Sequence, residues 1–198
     1  MVRNPIHIWF DFIDPASILL MMEIEAAYAD GDSWAHRAPM KWKPLELRPP
    51  PTPLTGIDNP QIALLWEGAR RIAVDAGLDL CPPDLVPWTR KAHELVAHAE
   101  IQDSMTAHAV RLAIGRCYAL EGGDIGRVDV LMEIAIEHGL DRTETKAVLD
   151  VDRYEAQVAA MGHQAAEANV TSTPTIIADD RRLEGFHNRT ALSTLLRT

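Results

Sequence analysis

The 198-residue sequence predicts an α/β fold interrupted by an all-α block, and three observations predict it. A short β-branched and aromatic run at residues 6–12 leads straight into a helix start at Asp14-Pro15. No convincing strand signal follows between about residues 60 and 169, where apolar residues recur at three- and four-residue spacing. β-rich sequence then returns from Thr171 to Ala178.

Residues 6–12, Ile-His-Ile-Trp-Phe-Asp-Phe, read as a buried strand. Asp14 suits the N-cap of the next helix, and Pro15 suits its first position, where the missing N–H costs nothing. That helix should end near Asp30-Gly31. Residues 40–47 alternate apolar and polar and read as a second strand, with Pro44 arguing for an edge or a bulge. A proline-rich connector follows at residues 48–53. Helical spacing runs through Ile62, Leu65, Trp66, Ala69, Ile72 and Ala73. It resumes from Leu95 through Val110, Leu112 and Ile114 to Leu120 and stops at Gly122-Gly123. A short helix is expected around Leu131–Ile136, and one more from Val151 to Asn169. The chain closes with strand, tight turn at Asp179-Asp180, strand, and a final helix capped by Asn188. The first β-α-β implies a parallel pair with a right-handed crossover. The order is that of a thioredoxin fold cut open by a helical domain. It divides the chain into a discontinuous thioredoxin-like domain (1–59 and 151–198) and an inserted helical domain (60–150).

Composition narrows the function. Apolar residues make up 47% and charged residues 24%, ordinary for a globular protein. A formal net charge of −10 argues against nucleic acid and anionic membranes as partners. No run of 18 apolar residues is present, so no spanning helix is expected. The first ten residues do not read as a signal peptide, and the expected location is cytoplasmic. Cys81 and Cys117, far apart in the chain, then read as two unpaired thiols.

Phe10-Asp11-Phe12-Ile13-Asp14-Pro15-Ala16-Ser17 resembles the strand-to-helix motif of the DsbA-like superfamily, where the strand is followed by Cys-Pro-x-Cys. Pro87–Leu95, Gly123-Asp124-Ile125, the Leu131–Leu140 segment and Val170–Thr175 resemble segments of the FrnE-type dithiol-disulfide isomerases. Kappa-class glutathione transferases and 2-hydroxychromene-2-carboxylate isomerases are sister branches. The resemblance covers nearly the whole chain. It implies a family of thiol-disulfide oxidoreductases, a cis peptide before Pro174, and pairing of an extended peptide or glutathione with the backbone of Thr173. Members are often dimers, so it also admits a homodimer.

The departures carry as much as the match. Asp14 stands at the first cysteine position and Ser17 at the second. A redox thiol must attack as thiolate from a helix N-terminus, and neither residue can form a mixed disulfide. Ordinary thiol–disulfide exchange is therefore not expected there. A carboxylate at a helix N-terminus is favoured in its ionised form, so Asp14 is expected to have a lowered pKa and to act as a permanent anion, or simply as an N-cap. The Ser17 hydroxyl can donate to Asp14 or to a bound thiolate, or serve structurally in the first helical turn. The glutathione-using branches place their serine at the first position, which here is Asp14, and an aspartate beside a thiolate raises the thiol's pKa. Pro15, Thr173 and Pro174 join the expected binding surface. His187, Asn188 and Arg189 fall where those branches hold the γ-glutamyl end of glutathione, with only Arg189 matching. No metal or cofactor motif is present, and glutathione is the one small cofactor the resemblance implies.

Other residues read more plainly. His93, His98 and His108 lack a metal-binding spacing and are expected to be solvated or capping. Trp66, Trp88 and Met105 either line a gap between the lobes or belong to the core, and helical spacing favours core. Three functions stay open: a family member whose redox chemistry is lost or altered, a glutathione-dependent transferase or isomerase, and a non-catalytic module that grips a small thiol, an extended peptide or a small acid.

Overall fold

The computed structural model describes residues 4–36 and 38–196. Strand β1 (Ile6–Phe10) feeds helix α1 (Pro15–Ala29), and β2 (Met40–Pro44) returns parallel to β1. Two short strands, β3 (Thr55–Gly56) and β4 (Leu85–Val86), and helices α2 (Pro60–Asp75), α3 (Arg90–Gln102), α4 (Ser104–Leu120), α5 (Val128–Glu137), α6 (Arg142–Asp150) and α7 (Glu155–Glu167) follow. The chain ends in a hairpin of β5 (Thr175–Ala178) and β6 (Arg181–Glu184), then α8 (Arg189–Leu196). The sheet order is β2-β1-β5-β6, with β5 antiparallel to β1. This is a thioredoxin fold with a helical insertion.

The helix start at Asp14-Pro15 forms as its residues dictate: the Asp14 carboxylate accepts from the backbone N–H groups of Ala16 and Ser17, and Pro15 is the first helical residue. Asp30 closes the helix and Gly31 follows at φ +74°. Pro44 ends an edge strand, where its missing N–H removes no interior ladder bond.

Strand bounds and helix breaks depart from the sequence reading. The first strand stops at Phe10 because residues 11–14 turn, with the Asp14 N–H donating to the Asp11 carbonyl. The second stops at Pro44, and the last β-rich run begins pairing only at Thr175. Within the supposedly strand-free stretch, Leu85–Val86 pairs with Thr55–Gly56. The single helical run expected from Leu95 to Leu120 breaks at Asp103, whose extended backbone (φ −172°) ends α3 while its side chain caps α4. Helix α6, capped by Asp141, was not expected at all, and α7 starts at Glu155 rather than Val151 because residues 151–154 turn, with Asp152 at φ +51°.

One core joins the lobes: Phe10, Phe12, Ile18 and Met21 pack with Trp66, Leu95, Val110, Ile114 and Tyr118. A second, beneath the sheet, joins Ile8, Leu20 and Ile24 to Leu192 and Leu195 of α8. Docking α1 between them buries its N-terminus, and that burial sets the chemistry of the site.

Candidate functional site

Asp14 sits at the N-terminus of α1, 6% exposed. Its Oδ1 accepts from the Ala16 N–H (3.1 Å), while Oδ2 accepts from the Ser17 N–H (3.2 Å), the Ser17 hydroxyl (2.6 Å) and the Thr173 hydroxyl (2.9 Å). The carboxylate thus occupies the donor cradle that the helix terminus and the 173–174 loop create.

The expectation of a lowered pKa is overturned. Burial pushes the Asp14 carboxyl up to about 6, against the Ser17, Thr173 and Ala16 hydrogen bonds that favour the charged form, and the nearby Asp11 carboxylate adds to the rise. Desolvation wins because the helix docks its first turn into the interior rather than leaving it in water.

Beneath Asp14 lies a buried network that the sequence reading missed. Asp11 is fully buried, accepts from the Leu47 N–H at 2.7 Å, and faces His93 Nε2 at 3.2 Å. His93 packs against Phe10 and Phe12 with ring centroids 5.2 and 4.8 Å away. The reading of His93 and His98 as solvated or capping is corrected: they are 2% and 6% exposed. His93 faces inward because α3 packs directly over the end of β1. The Tyr118 hydroxyl is buried without a hydrogen-bond partner among the described residues, and burial together with Asp11 and Asp14 raises its pKa. An aspartate at the mouth of an otherwise apolar strand was the one sequence signal that pointed to this network.

The remaining predicted residues divide. Pro15 and Pro174 are buried at the edge of the cradle, and the Thr173–Pro174 peptide is cis. The Thr173 backbone N–H and C=O make no hydrogen bond among the described residues. The Gly185 N–H donates to the Pro174 carbonyl, which brings the β6 end beside the loop. His187 Nε2 lies 3.1 Å from the Glu184 carbonyl, and Asn188 accepts from the Ala191 N–H as the cap of α8. Arg189 is not brought to the cradle. It pairs with Asp30 (2.8 Å), Asp32 (3.4 Å) and Glu23 (3.6 Å), along the C-terminal half of α1 and just beyond its end.

Of the three aromatic and sulfur side chains placed in either gap or core, Trp66 is core at 1% exposure. Trp88 lines a 410 Å³ cleft with Pro50, Leu54 and Arg90, where Arg90 holds Glu46 and Glu155. Met105 is exposed on a different face. Cys81 and Cys117 are free thiols. Among the described residues no cluster of three metal-ligating side chains occurs, and no helix is long and apolar enough to cross a membrane.

Comparison with known proteins agrees with this architecture. The family model of the DSBA-like thioredoxin domain matches residues 5–197. The uncharacterized protein YwbO of Bacillus subtilis is 27% identical over 185 residues, covering 91% of this chain and 89% of that protein. A probable DsbA oxidoreductase from Streptomyces coelicolor superposes with a TM-score of 0.82 at 20% identity, covering 97% of this chain and 88% of that one. A 2-hydroxychromene-2-carboxylate isomerase superposes at 0.72 with 18% identity, covering 92% and 89%. The cytosolic disulfide reductase DsbM from Pseudomonas aeruginosa, solved with GSH, superposes at 0.65 with 18% identity, covering 98% and 100%. At these identities the structural likenesses speak to fold alone.

Proposed function

The chain belongs to the DsbA-like thioredoxin-domain family, and from that premise we propose that it is a redox-silent member that holds a small thiol peptide of the glutathione class against Thr173 and the Asp14 carboxyl. The observation that carries this reading is the Asp14 cradle, where a carboxylate with four donors stands in the place of the first redox thiol. Exchange needs a thiolate at that point and a second thiol one turn on; residue 17 offers a hydroxyl already given to Asp14. At neutral pH Asp14 is ionised, since its pKa lies near 6. A neighbouring thiol is then kept as neutral S–H by charge repulsion, and the carboxylate accepts its hydrogen bond.

The open N–H and C=O of Thr173 offer an extended peptide the strand-like pairing by which sheet edges capture chains. DsbM was solved with GSH, and the same ligand class fits this edge by its amide backbone. Arg189, tied to the far half of α1, takes no part. Two free thiols are compatible with a reducing cytoplasm.

A second reading gives Asp14 a catalytic part: a carboxyl titrating near 6 is suited to pass a proton in an isomerase-type reaction of a bound thiol adduct. The distinguishing measurement is insulin reduction with dithiothreitol, run beside the Asp14→Cys, Ser17→Cys double variant, together with thermal shift in reduced glutathione. An inert wild type, an active double variant, and a glutathione-dependent rise in Tm that is lost on Thr173→Pro are the expected results. Insulin reduction by the wild type would assign redox work to Cys81 or Cys117 and end the redox-silent reading, and an absent thermal shift would end the ligand assignment.

A further inference from the structure

A second buried charge lies on another part of the molecule. Arg111 of α4 is 6% exposed. Among the described residues its buried Nε has no hydrogen-bond partner, and the Glu100 carboxylate stands at 3.7 Å, beyond hydrogen-bond reach and itself half exposed. One face of the guanidinium is covered by the Trp42 ring at 5.5 Å, and the buried Nε on its edge has no partner among the described residues. Burying a guanidinium without partners is strongly unfavourable, and buried donors in folded proteins are almost always paired. Burial lowers the Arg111 pKa to about 10, so the group stays charged at neutral pH and the demand for an anion stands.

The surroundings supply the rest of a site. Arg111 forms part of the wall of an open cleft of about 830 Å³, bounded by the edge strand β2, the C-terminal half of α1 and the α3–α4 corner. It also lines an inner pocket of about 110 Å³, which shares Trp42 and Glu100 with the cleft. The larger volume falls in the range of small-molecule sites. Ile24, Tyr28, Met40 and Trp42 give the cleft an apolar wall, and Met105 stands at it with 74% exposure.

The charged groups facing it are largely committed. Glu25 holds His108 at 2.6 Å, and Lys43 reaches Gln164 at 3.2 Å. Lys41 and Lys43 both act to depress the His7 pKa, behind its burial, so the field across the β2 side is positive. The cleft starts about ten residues along α1 from Asp14, roughly 15 Å at the helical rise, and is separate from the cradle there.

We propose that this cleft binds a small organic acid, its carboxylate paired with the Arg111 guanidinium and its apolar body lying along Tyr28, Met40 and Met105. A planar fork with open in-plane donors matches a carboxylate, and an apolar channel leading away from it selects an acid with a hydrocarbon body over a compact inorganic anion.

The test uses the full chain and sodium octanoate as the probe, by isothermal titration and thermal shift, with octanamide as the uncharged counterpart. Saturable octanoate binding is expected, with octanamide about tenfold weaker. Arg111→Met should weaken octanoate about tenfold or more while the fold, checked by circular dichroism, is kept. Glu100→Gln removes the competing carboxylate and should tighten octanoate by a few-fold, a change in the opposite direction that keeps the test decisive even where Arg111→Met folds poorly. Absence of octanoate binding, equal binding of octanamide, or loss of affinity in Glu100→Gln would overturn the proposal.

Discussion

Two ends of helix α1 carry buried charges, and they are treated in opposite ways. At its N-terminus Asp14 receives two backbone N–H groups and two hydroxyls, and below it Asp11 receives the Leu47 N–H and faces His93. Beside its C-terminal half Arg111 is as deeply buried and has no hydrogen-bond partner among the described residues. A buried charge that the chain itself supplies with donors asks little of a ligand, and any ligand there settles against it rather than replacing it. Arg111 has only the half-exposed Glu100 at 3.7 Å beside it, and its buried Nε still lacks an acceptor among the described residues. The difference sets the start of α1, where the chain supplies the donors itself, apart from the cleft beside Arg111, where donors are left for a ligand.

The comparison breaks most visibly at His93. His93→Ala leaves the Asp11 carboxylate buried with one oxygen unanswered, and the expected cost is about 3–5 kcal/mol in urea unfolding. A cost near that of an ordinary surface substitution would mean that Asp11 is satisfied without His93, and the network would lose its keystone.

Asp14→Asn sharpens it through pH. The folded-state pKa of Asp14 is raised from 3.8 to about 6, so the folded protein holds the proton more tightly than the unfolded chain. Its contribution to stability is complete below about pH 4 and is lost as pH rises through 6, leaving an ionised buried group that costs roughly 3 kcal/mol above that. Asparagine keeps the N-cap and carries no charge. The variant should match the wild type near pH 4 and exceed it by about 2 kcal/mol at pH 8, with a Tm that no longer declines between those values. Equal pH dependence in both proteins would place the titration elsewhere.

The smallest effect belongs to Arg111→Met. Exchanging an unpartnered buried cation for an apolar chain of similar length should be neutral, or stabilising by up to about 2 kcal/mol. A large destabilisation would show that Arg111 is satisfied by its own surroundings, and the contrast between the two ends of α1 would disappear.

Much of the fold was legible because its signals are local. Asp14 followed by Pro15 fixed a helix start within a single turn, and Pro44 marked an edge strand through the donor it lacks. Boundaries failed where a local signal was outweighed or overlooked. Asp103 carried a cap signal inside a continuous apolar rhythm, and the rhythm hid the break; Asp141 did the same for α6. The short pairing of Thr55–Gly56 with Leu85–Val86 has no pattern of its own, since two residues cannot display a period.

The sequence by itself determined the α/β class, the helical interruption and the helix start that carries Asp14 and Ser17. Those follow from residue identity and short-range geometry. Tertiary structure decided what these groups are chemically. Asp14 was expected to ionise easily because a helix N-terminus favours anions, yet docking of α1 into two cores removed the water that the expectation assumed. Its Thr173 partner lies 159 residues away, and the His93 partner of Asp11 lies 82 away. Nothing in the sequence singles out Arg111; tertiary packing buries it beside the Trp42 ring. A pKa or an unanswered charge depends on solvent access and on partners brought from distant segments, and neither is written in local sequence.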